Sequence, residues 1–536
     1  MSYIVNPILR GFNPDPSIIR VGEDYYIATS TFEWFPGVQI HHSRDLQNWK
    51  LIGHPLTRTS QLNMTGNPDS GGVWAPCLSC HEGTYYLIYT DVKSHMGPFK
   101  DTHNYMVTAS DIHGPWSEPI YLNSSGFDPS MFHEEDGTKW IVNMVWDHRK
   151  GKNHFGGIVI QQYSQTEKSL VGPIHNIFRG TSLGLTEGPH IYRANGYYYL
   201  MTAEGGTRYG HAITMARSTS LLGPYEADPA GPVLTSADRP EAELQRAGHG
   251  CLVETPSAEM YLVHLCGRPL RPSLYCTLGR ETAIQRCIWN EAGWLSLASR
   301  DHEPEVKVTA PSIPEYSFEP EPETEHFDSD QISIHFNSLR EPLAEDWASL
   351  RERPGFLRLR GRESLSSHHQ QSLIARRQQS FLVEAETVVE FAPDSYQQLA
   401  GLIYYYNSRN YYYLWISWDE ELGKCVGIMS SDRGSYDEPL KSPVSIEGWE
   451  RCYLKAMIRR ERLQFLYSRD GQEWQLIGGE LDATKLSDEN AEFIKEGVAL
   501  DQGFTGAFLG MCVQDLSGRG LHADFDYFTY RELDEY

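Results

Sequence analysis

Long apolar runs are missing from this sequence: nowhere in its 536 residues do eighteen apolar residues follow one another, so no stretch qualifies as a membrane-spanning helix. The opening MSYIVNPILRGFNPDPS has no basic region leading into an apolar core, and the expected location is the cytoplasm. Positive charge is short as well. Against 71 Asp and Glu stand 46 Lys and Arg, a formal charge of -25, which works against nucleic acid and anionic membrane surfaces and favours a neutral ligand. Cysteine offers little: nine residues, an odd set, contain one C-x-x-C pair at Cys77 and Cys80, with neither the second pair nor the histidines that zinc would need. Buried, reduced thiols are the expectation. Residues 1–297 also lack a convincing helical period, their short runs being broken by Gly, Pro, Asn and Asp.

What the chain does contain is a repeat. The segments Asn13-Pro14-Asp15-Pro16-Ser17, Trp74-Ala75-Pro76-Cys77, Phe127-Asp128-Pro129-Ser130, Thr186-Glu187-Gly188-Pro189-His190 and His249-Gly250-Cys251 each precede a short aromatic strand by about ten residues. The steps between Asp15, Ala75, Asp128, Glu187 and His249 are 60, 53, 59 and 62 residues. About sixty residues hold four strands with their turns, and four-stranded units repeated about an axis make a propeller. A second echo supports the phase: Ser43-Arg44-Asp45 to Trp49, Ser110-Asp111 to Trp116 and Ser218-Thr219 to Tyr225 each fall near the end of a repeat. Equivalent positions converge on the axis, so two aspartates and a glutamate distant in sequence are expected to meet; the plainer alternative is that they are turn residues at strand starts.

A chain of this length exceeds one compact core. From Asp301 the texture changes to Pro-rich, mostly acidic sequence, and residues 301–324 read as an extended connector that equally could run over the surface of both domains. Residues 325–536 are again rich in strands, among them 381–391, two aromatic runs within 402–418 split by Asn407-Ser408-Arg409-Asn410, and two more around Arg459-Arg460-Glu461-Arg462. With no sixty-residue repeat and no crossover helices, they predict two packed antiparallel sheets. The fold class is therefore all-β, a propeller over 1–300 followed by a β-sandwich of jelly-roll, lectin-like type.

Two carboxyl groups flanking an acetal oxygen are the minimum equipment for glycoside hydrolysis, and a third nearby carboxylate keeps the acid protonated by like-charge repulsion. Asp15, Asp128 and Glu187 supply three, and Gly188 leaves room beside the glutamate for a substrate. Aromatic residues make up 12% of the chain, a content that suits sheets and sugar faces alike.

The set NPDPS, FDPS, TEGPH and LGRETAIQ resembles glycoside hydrolase family 43 and, over the whole length including GFTGAF and ADFDYF near the end, its two-domain bacterial beta-xylosidases. The resemblance implies a five-bladed propeller joined to a sandwich that closes the active-site pocket, and hydrolysis with inversion. It makes Asp15 the general base, Asp128 the residue that tunes and orients the acid, and Glu187 the general acid. It further implies an exo-acting xylosidase on xylo-oligosaccharides with arabinofuranosidase side activity; the alternatives are a predominant α-L-arabinofuranosidase and a sugar-binding propeller without catalysis. By the same resemblance His249 lies at the propeller centre, and Arg280, with Arg286 as the fallback, holds sugar hydroxyls. Phe32 and Trp74 are candidate walls, either of which could instead pack between blades, and Phe504 or Phe508 is the residue through which the sandwich closes the pocket. No cofactor is required on this reading. A calcium ion near His249, or at Asp526 with Asp524 or Asp328, is the open alternative, and a homo-oligomer, dimer or tetramer, is expected.

Overall fold

In the computed structural model, residues 2–495 and 498–534 are described. Five antiparallel sheets follow one another along the first 300 residues, each built from a consecutive stretch of chain. The first contains Ser17–Val21, Asp24–Thr29, Gln39–Ser43 and Lys50–Gly53; the fifth contains Gln245–Glu254, Met260–Gly267, Glu281–Trp289 and Leu295–Leu297. Their hairpins follow from local chemistry. His81 pairs with Thr84 and Ala194 with Tyr197, and the two-residue turns between them place Glu82-Gly83 and Asn195-Gly196 at positive φ. That is the type I′ geometry, whose twist matches the flanking strands.

Alternating side chains interlock between neighbouring sheets. Ile40, Leu78 and Leu87 fill the space between the first and second blades, Ile88, Met106 and Met131 that between the second and third, and Met201, Ile213 and Leu252 that between the fourth and fifth. Ile18, Ile27, Val253 and Val263 join the fifth blade back to the first, which closes the ring. The N-terminal segment clips this seam from outside: the Asn6 side chain accepts from the Ile284 N–H at 2.9 Å and donates to the Ile284 carbonyl at 2.7 Å. Tyr3–Val5 pairs with Lys307–Thr309, so the connector begins on the propeller. It ends on the sandwich, where Thr324–Glu325 pairs with His522–Glu532.

The sandwich is formed by sheets of eight and nine strands. Regular helix among the described residues is limited to one turn each at Ala483–Lys485 and Asp488–Ala491, and no helix is long and apolar enough to cross a membrane. The nine-stranded sheet ends on a strand that belongs to the propeller. Trp34 and Phe35, from the loop after the second strand of blade one, pair with Leu339 and Ser338, so main-chain hydrogen bonding runs unbroken from one domain into the other. The apolar core does the same: Phe12, Trp34 and Trp74 share one buried cluster with Leu373, Ile403, Tyr405 and Phe508. A sheet edge and an apolar face that would both face water in isolated domains are thereby covered.

Candidate active site

The first strands of the five blades contact one another around the axis, and at the position that repeats, within the strand or just before it, each has a residue in the left-handed region. These residues are Asp15 (φ 54), Ala75 (φ 36), Asp128 (φ 54), Gly188 (φ 58) and His249 (φ 44). Four of the five are not glycine, so the tertiary structure holds them in a conformation L-residues rarely adopt. The fourth blade departs from the sequence phase by one residue: its left-handed position is Gly188, and Glu187 takes the place held by Trp74 and Phe127 in the second and third blades. Both of these neighbouring positions face the same cavity. The space at Gly188 is not left for a substrate, as the sequence reading had it. A Cβ there would stand 3.1 Å from the His249 ring, so the missing side chain accommodates the histidine.

The cavity has a volume of about 440 Å³. Asp15, Asp128, Glu187, His249 and Arg280 all line it, together with Phe32 and Trp74. Asp15 accepts from the Ser30 hydroxyl at 2.6 Å, and Ser30 in turn accepts from the Ala75 N–H at 2.8 Å, a short relay that fixes the carboxylate against the second blade. Its other oxygen lies 3.6 Å from Arg280 Nη1 and 3.9 Å from His249 Nδ1. Asp128 accepts from the Gly188 N–H at 3.0 Å, which ties the third blade to the segment carrying Glu187.

Electrostatics separates the carboxyl groups. Burial, with further repulsion from Asp128 and Asp15, pushes Glu187 well above the usual carboxyl range, while Arg280 and Lys100 oppose the shift. Asp128 is pushed up to about 6, by burial first and by Asp15, against the pull of His249, the Gly188 N–H and Arg280. The shift favours the protonated form of Glu187, the form a general acid needs. Lys100 is lowered to about 8 by burial, against the attraction of Glu187; its ammonium donates to the His95 carbonyl at 2.6 Å and lies 4.4 Å from the centre of the Trp146 ring.

Phe504 and Phe508 part company. Phe504 lines the cavity and meets Phe32 at 5.9 Å and Trp74 at 5.8 Å between ring centroids, so Phe32 and Trp74 act as cavity wall and as packing at once. Phe508 is fully buried, stacked on Trp34 at 3.9 Å, and belongs to the interdomain core. One strand start separates them: Phe504 precedes Phe508–Asp515, whereas Phe508 opens that strand. Arg280 secures Phe504, donating to its carbonyl through Nη2 at 2.8 Å and to Thr207 through Nη1 at 3.1 Å. Close approach is required here: Gly279 (φ 69) would place a Cβ 1.7 Å from the Thr505 carbonyl oxygen. Arg286 lies elsewhere, paired with Glu259 at 3.2 Å.

Lys100, Phe127, Trp146, Thr207, Arg208 and Gln502 also line the cavity and escaped the sequence reading. Phe127 carries a signal after the fact, since it precedes a left-handed residue as Trp74 does, and Gly205-Gly206 announces the loop bearing Thr207 and Arg208. Lys100 and Trp146 sit outside the repeat's inner strand and carry no such mark.

The residues 4–295 match the family described as Glycosyl hydrolases family 43, and 324–531 match the Beta xylosidase C-terminal Concanavalin A-like domain. The chain belongs to glycoside hydrolase family 43. It is similar to a solved structure of xylan beta-1,4-xylosidase from Bacillus halodurans C-125, with 58% identity, a TM-score of 0.96 and coverage of 99% of this chain and 100% of that one. It is 51% identical to a Beta-xylosidase of Bacillus subtilis, over 99% of each chain, and 51% identical to Xylosidase/arabinosidase 43B of Humicola insolens, over 99% of this chain and 98% of that one. Of the acids expected as calcium ligands in the concanavalin A-like domain of this family 43 chain, Asp524 and Asp526 are engaged by arginines. Asp524 accepts from Arg358 at 2.7 Å and from Arg353 at 2.8 Å, and Asp526 lies 3.0 Å from Arg451. A cation there would have to displace guanidinium groups. Among the described residues, no group of three His, Cys, Asp or Glu side chains is placed to hold a metal ion.

Proposed function

We propose that the protein is an inverting, exo-acting beta-xylosidase that removes xylose from the non-reducing ends of short β-1,4-linked xylo-oligosaccharides, with α-L-arabinofuranosidase side activity. The observation that carries this reading is a cavity where three carboxyl groups converge, with the proton affinity of Glu187 raised by burial and by the other two, and with Phe504 of the second domain as part of its wall. Such a wall blocks a groove at one side and favours attack on a chain end.

In the proposed reaction Glu187 donates its proton to the glycosidic oxygen as the bond to the anomeric carbon breaks. Water attacks that carbon from the opposite face and gives a proton to Asp15. Solvent then returns a proton to Glu187 and removes one from Asp15. Asp128 acts on the acid twice, through repulsion and through its bond to the Gly188 N–H. Arg280 and Ser30, which both address Asp15, hold the base in place. Inversion requires room for that water, a carboxyl separation of roughly 6.5–9.5 Å. The nine free cysteines fit a reducing compartment, in keeping with a cytoplasmic enzyme acting on diffusible oligosaccharides.

The relative named as a xylosidase/arabinosidase favours the arabinofuranosidase activity as a second reading, and parallel rates on aryl β-xyloside and aryl α-arabinofuranoside rank the two. The decisive test of the main reading is xylotetraose hydrolysis followed by proton magnetic resonance. Xylose and xylotriose should appear first, with the xylose initially in the α form. Early xylobiose would refute exo-attack, and initial β-xylose would refute Asp15 as base.

A further inference from the structure

A second cavity, of about 470 Å³, lies between the domains and away from the catalytic carboxyl groups. Its inner wall holds an unusual set of polar atoms. Arg377 Nε and Nη2, Arg376 Nε, His41 Nδ1, His335 Nε2 and Gln39 Oε1 are all buried without a hydrogen-bond partner, and their residues all line this cavity. Buried polar groups are nearly always satisfied, and a buried guanidinium left unpaired is costly. The two arginines come from the sandwich strand Ser372–Arg377, while Gln39 and His41 come from the propeller strand Gln39–Ser43.

Arg377 is 4% exposed. Its Nη1 reaches only the Asn337 side-chain oxygen at 3.2 Å, and its guanidinium lies over the rings of Phe12 and Phe508. Among the described residues, no carboxylate lies within 4.0 Å of Arg377 or Arg376. The acids of this cavity are at its mouth and are otherwise engaged: Glu321 with Lys50 at 3.7 Å and His335 at 3.7 Å, Glu532 with Arg10 at 2.7 Å, Glu323 with Arg531 at 2.9 Å. Glu319 is exposed. The interior thus presents two adjacent cations and neutral hydrogen-bonding groups from two domains; Glu532 and Glu321 attract Arg376 from the mouth, and neither arginine is paired with a carboxylate among the described residues.

We propose that this interdomain cavity is a binding site for a small tetrahedral oxyanion of the phosphate class, held by Arg376 and Arg377 and bridging to His41 of the propeller. Guanidinium groups match such an anion because their N–H donors meet its oxygens in pairs. The charge state supports the geometry: burial, then repulsion from Arg376, lowers Arg377 to about 9, and burial followed by Arg377 and its neighbours lowers His41 well below the usual histidine range. An anion reverses the arginine repulsion and leaves the neutral imidazole free to donate. Because its contacts come from both domains, it binds the assembled protein and not the separated parts, and stabilises the assembly by mass action.

Crystals of the wild-type protein soaked in selenate, a phosphate analogue that scatters anomalously, locate the site directly. A peak within hydrogen-bonding reach of Arg376 and Arg377 is expected; water alone at these groups overturns the proposal. In solution, phosphate at matched ionic strength should raise the Tm over chloride by about 2 °C, and Arg376→Gln should abolish that rise. An equal rise in the variant places the anion elsewhere, for example at Arg280 or Lys100, and overturns the assignment. Glycerol phosphate as a parallel probe separates free phosphate from a phosphomonoester as the source. None of these readouts involves hydrolysis, so their outcome is independent of the proposed enzyme activity.

Discussion

Two clusters of buried acids lie near each other at the junction of the domains, and they serve opposite ends. In the catalytic cavity Asp15, Asp128 and Glu187 share one close guanidinium, Arg280, and face open space. In the interface cluster Glu33 and Asp69 share Arg340, which lies 2.7 Å from Asp69 and has no exposed side-chain surface. There the carboxyl groups are tied up by protein donors, although Asp69 also lines a separate cavity of about 400 Å³: Asp69 accepts from the Ser408 N–H at 3.1 Å, and Glu33 from the Ser70 N–H at 3.1 Å. Both clusters hold a carboxyl pushed far up, since Glu33 reaches about 8 through burial and then repulsion from Asp69, against Arg340. Burial works to raise Asp69 as well, but Arg340, His368 and Ser408 outweigh it and hold it below the usual range. A displaced proton affinity therefore does not mark catalysis by itself. Convergence of three carboxyl groups on one aromatic-walled cavity distinguishes the first cluster, and the interface cluster instead fixes the wall, because Ser70 Oγ lies 3.2 Å from both the Phe504 N–H and the Gln502 carbonyl.

This contrast breaks most sharply at Glu187. Glu187→Gln should lower kcat by about 10³–10⁴-fold on xylobiose, where the leaving group needs a proton, and much less on an aryl xyloside with an acidic phenol. Equal losses on the two substrates, measured by steady-state kinetics, would make Glu187 a positioning residue. The matching change in the other cluster, Arg340→Met, should leave Asp69 unpaired and cost about 3–5 kcal/mol of stability. Denaturant unfolding measures it, and Arg340→Met with Asp69→Asn should recover much of the loss. Among molecules that remain folded, KM should rise more than kcat falls, because the wall loosens while the carboxyl groups stay. A fall in kcat comparable to that of Glu187→Gln would erase the distinction between the clusters.

The smallest effect sharpens the comparison inside the catalytic site. Asp128→Asn removes a negative charge that raises Glu187, so the acid loses its proton at lower pH. The basic limb of kcat/KM should move toward acid by about one unit, the scale expected for one close charge. Full activity with an unmoved limb would show that Asp128 does not tune the acid.

The aromatic runs, two-residue turns and sixty-residue repeat make the blades legible in sequence, because hairpins depend on residues close in the chain. The alternating runs of the second domain announce sheets for the same reason, and Leu382–Glu390 falls within the stretch expected for it. Even the convergence of Asp15, Asp128 and Glu187 was readable, since a repeat about an axis brings equivalent positions together. The one-residue offset at Glu187 was not. It depends on which residue enters the left-handed region, and in the fourth blade Gly188 does so against the His249 ring from the next blade.

The sequence alone thus determined the sheets, the repeat and the acidic residues at its axis, all set by local pattern and its repetition. Only the tertiary structure decided that Trp34 and Phe35 extend the sandwich sheet and that Phe504 rather than Phe508 reaches the cavity. It alone decided, too, that Arg376 and Arg377 meet His41 across a cavity between the domains. Each of these depends on how two surfaces distant in the chain fit together, and burial of apolar area, which drives that fit, is non-directional and leaves no periodic trace in either surface.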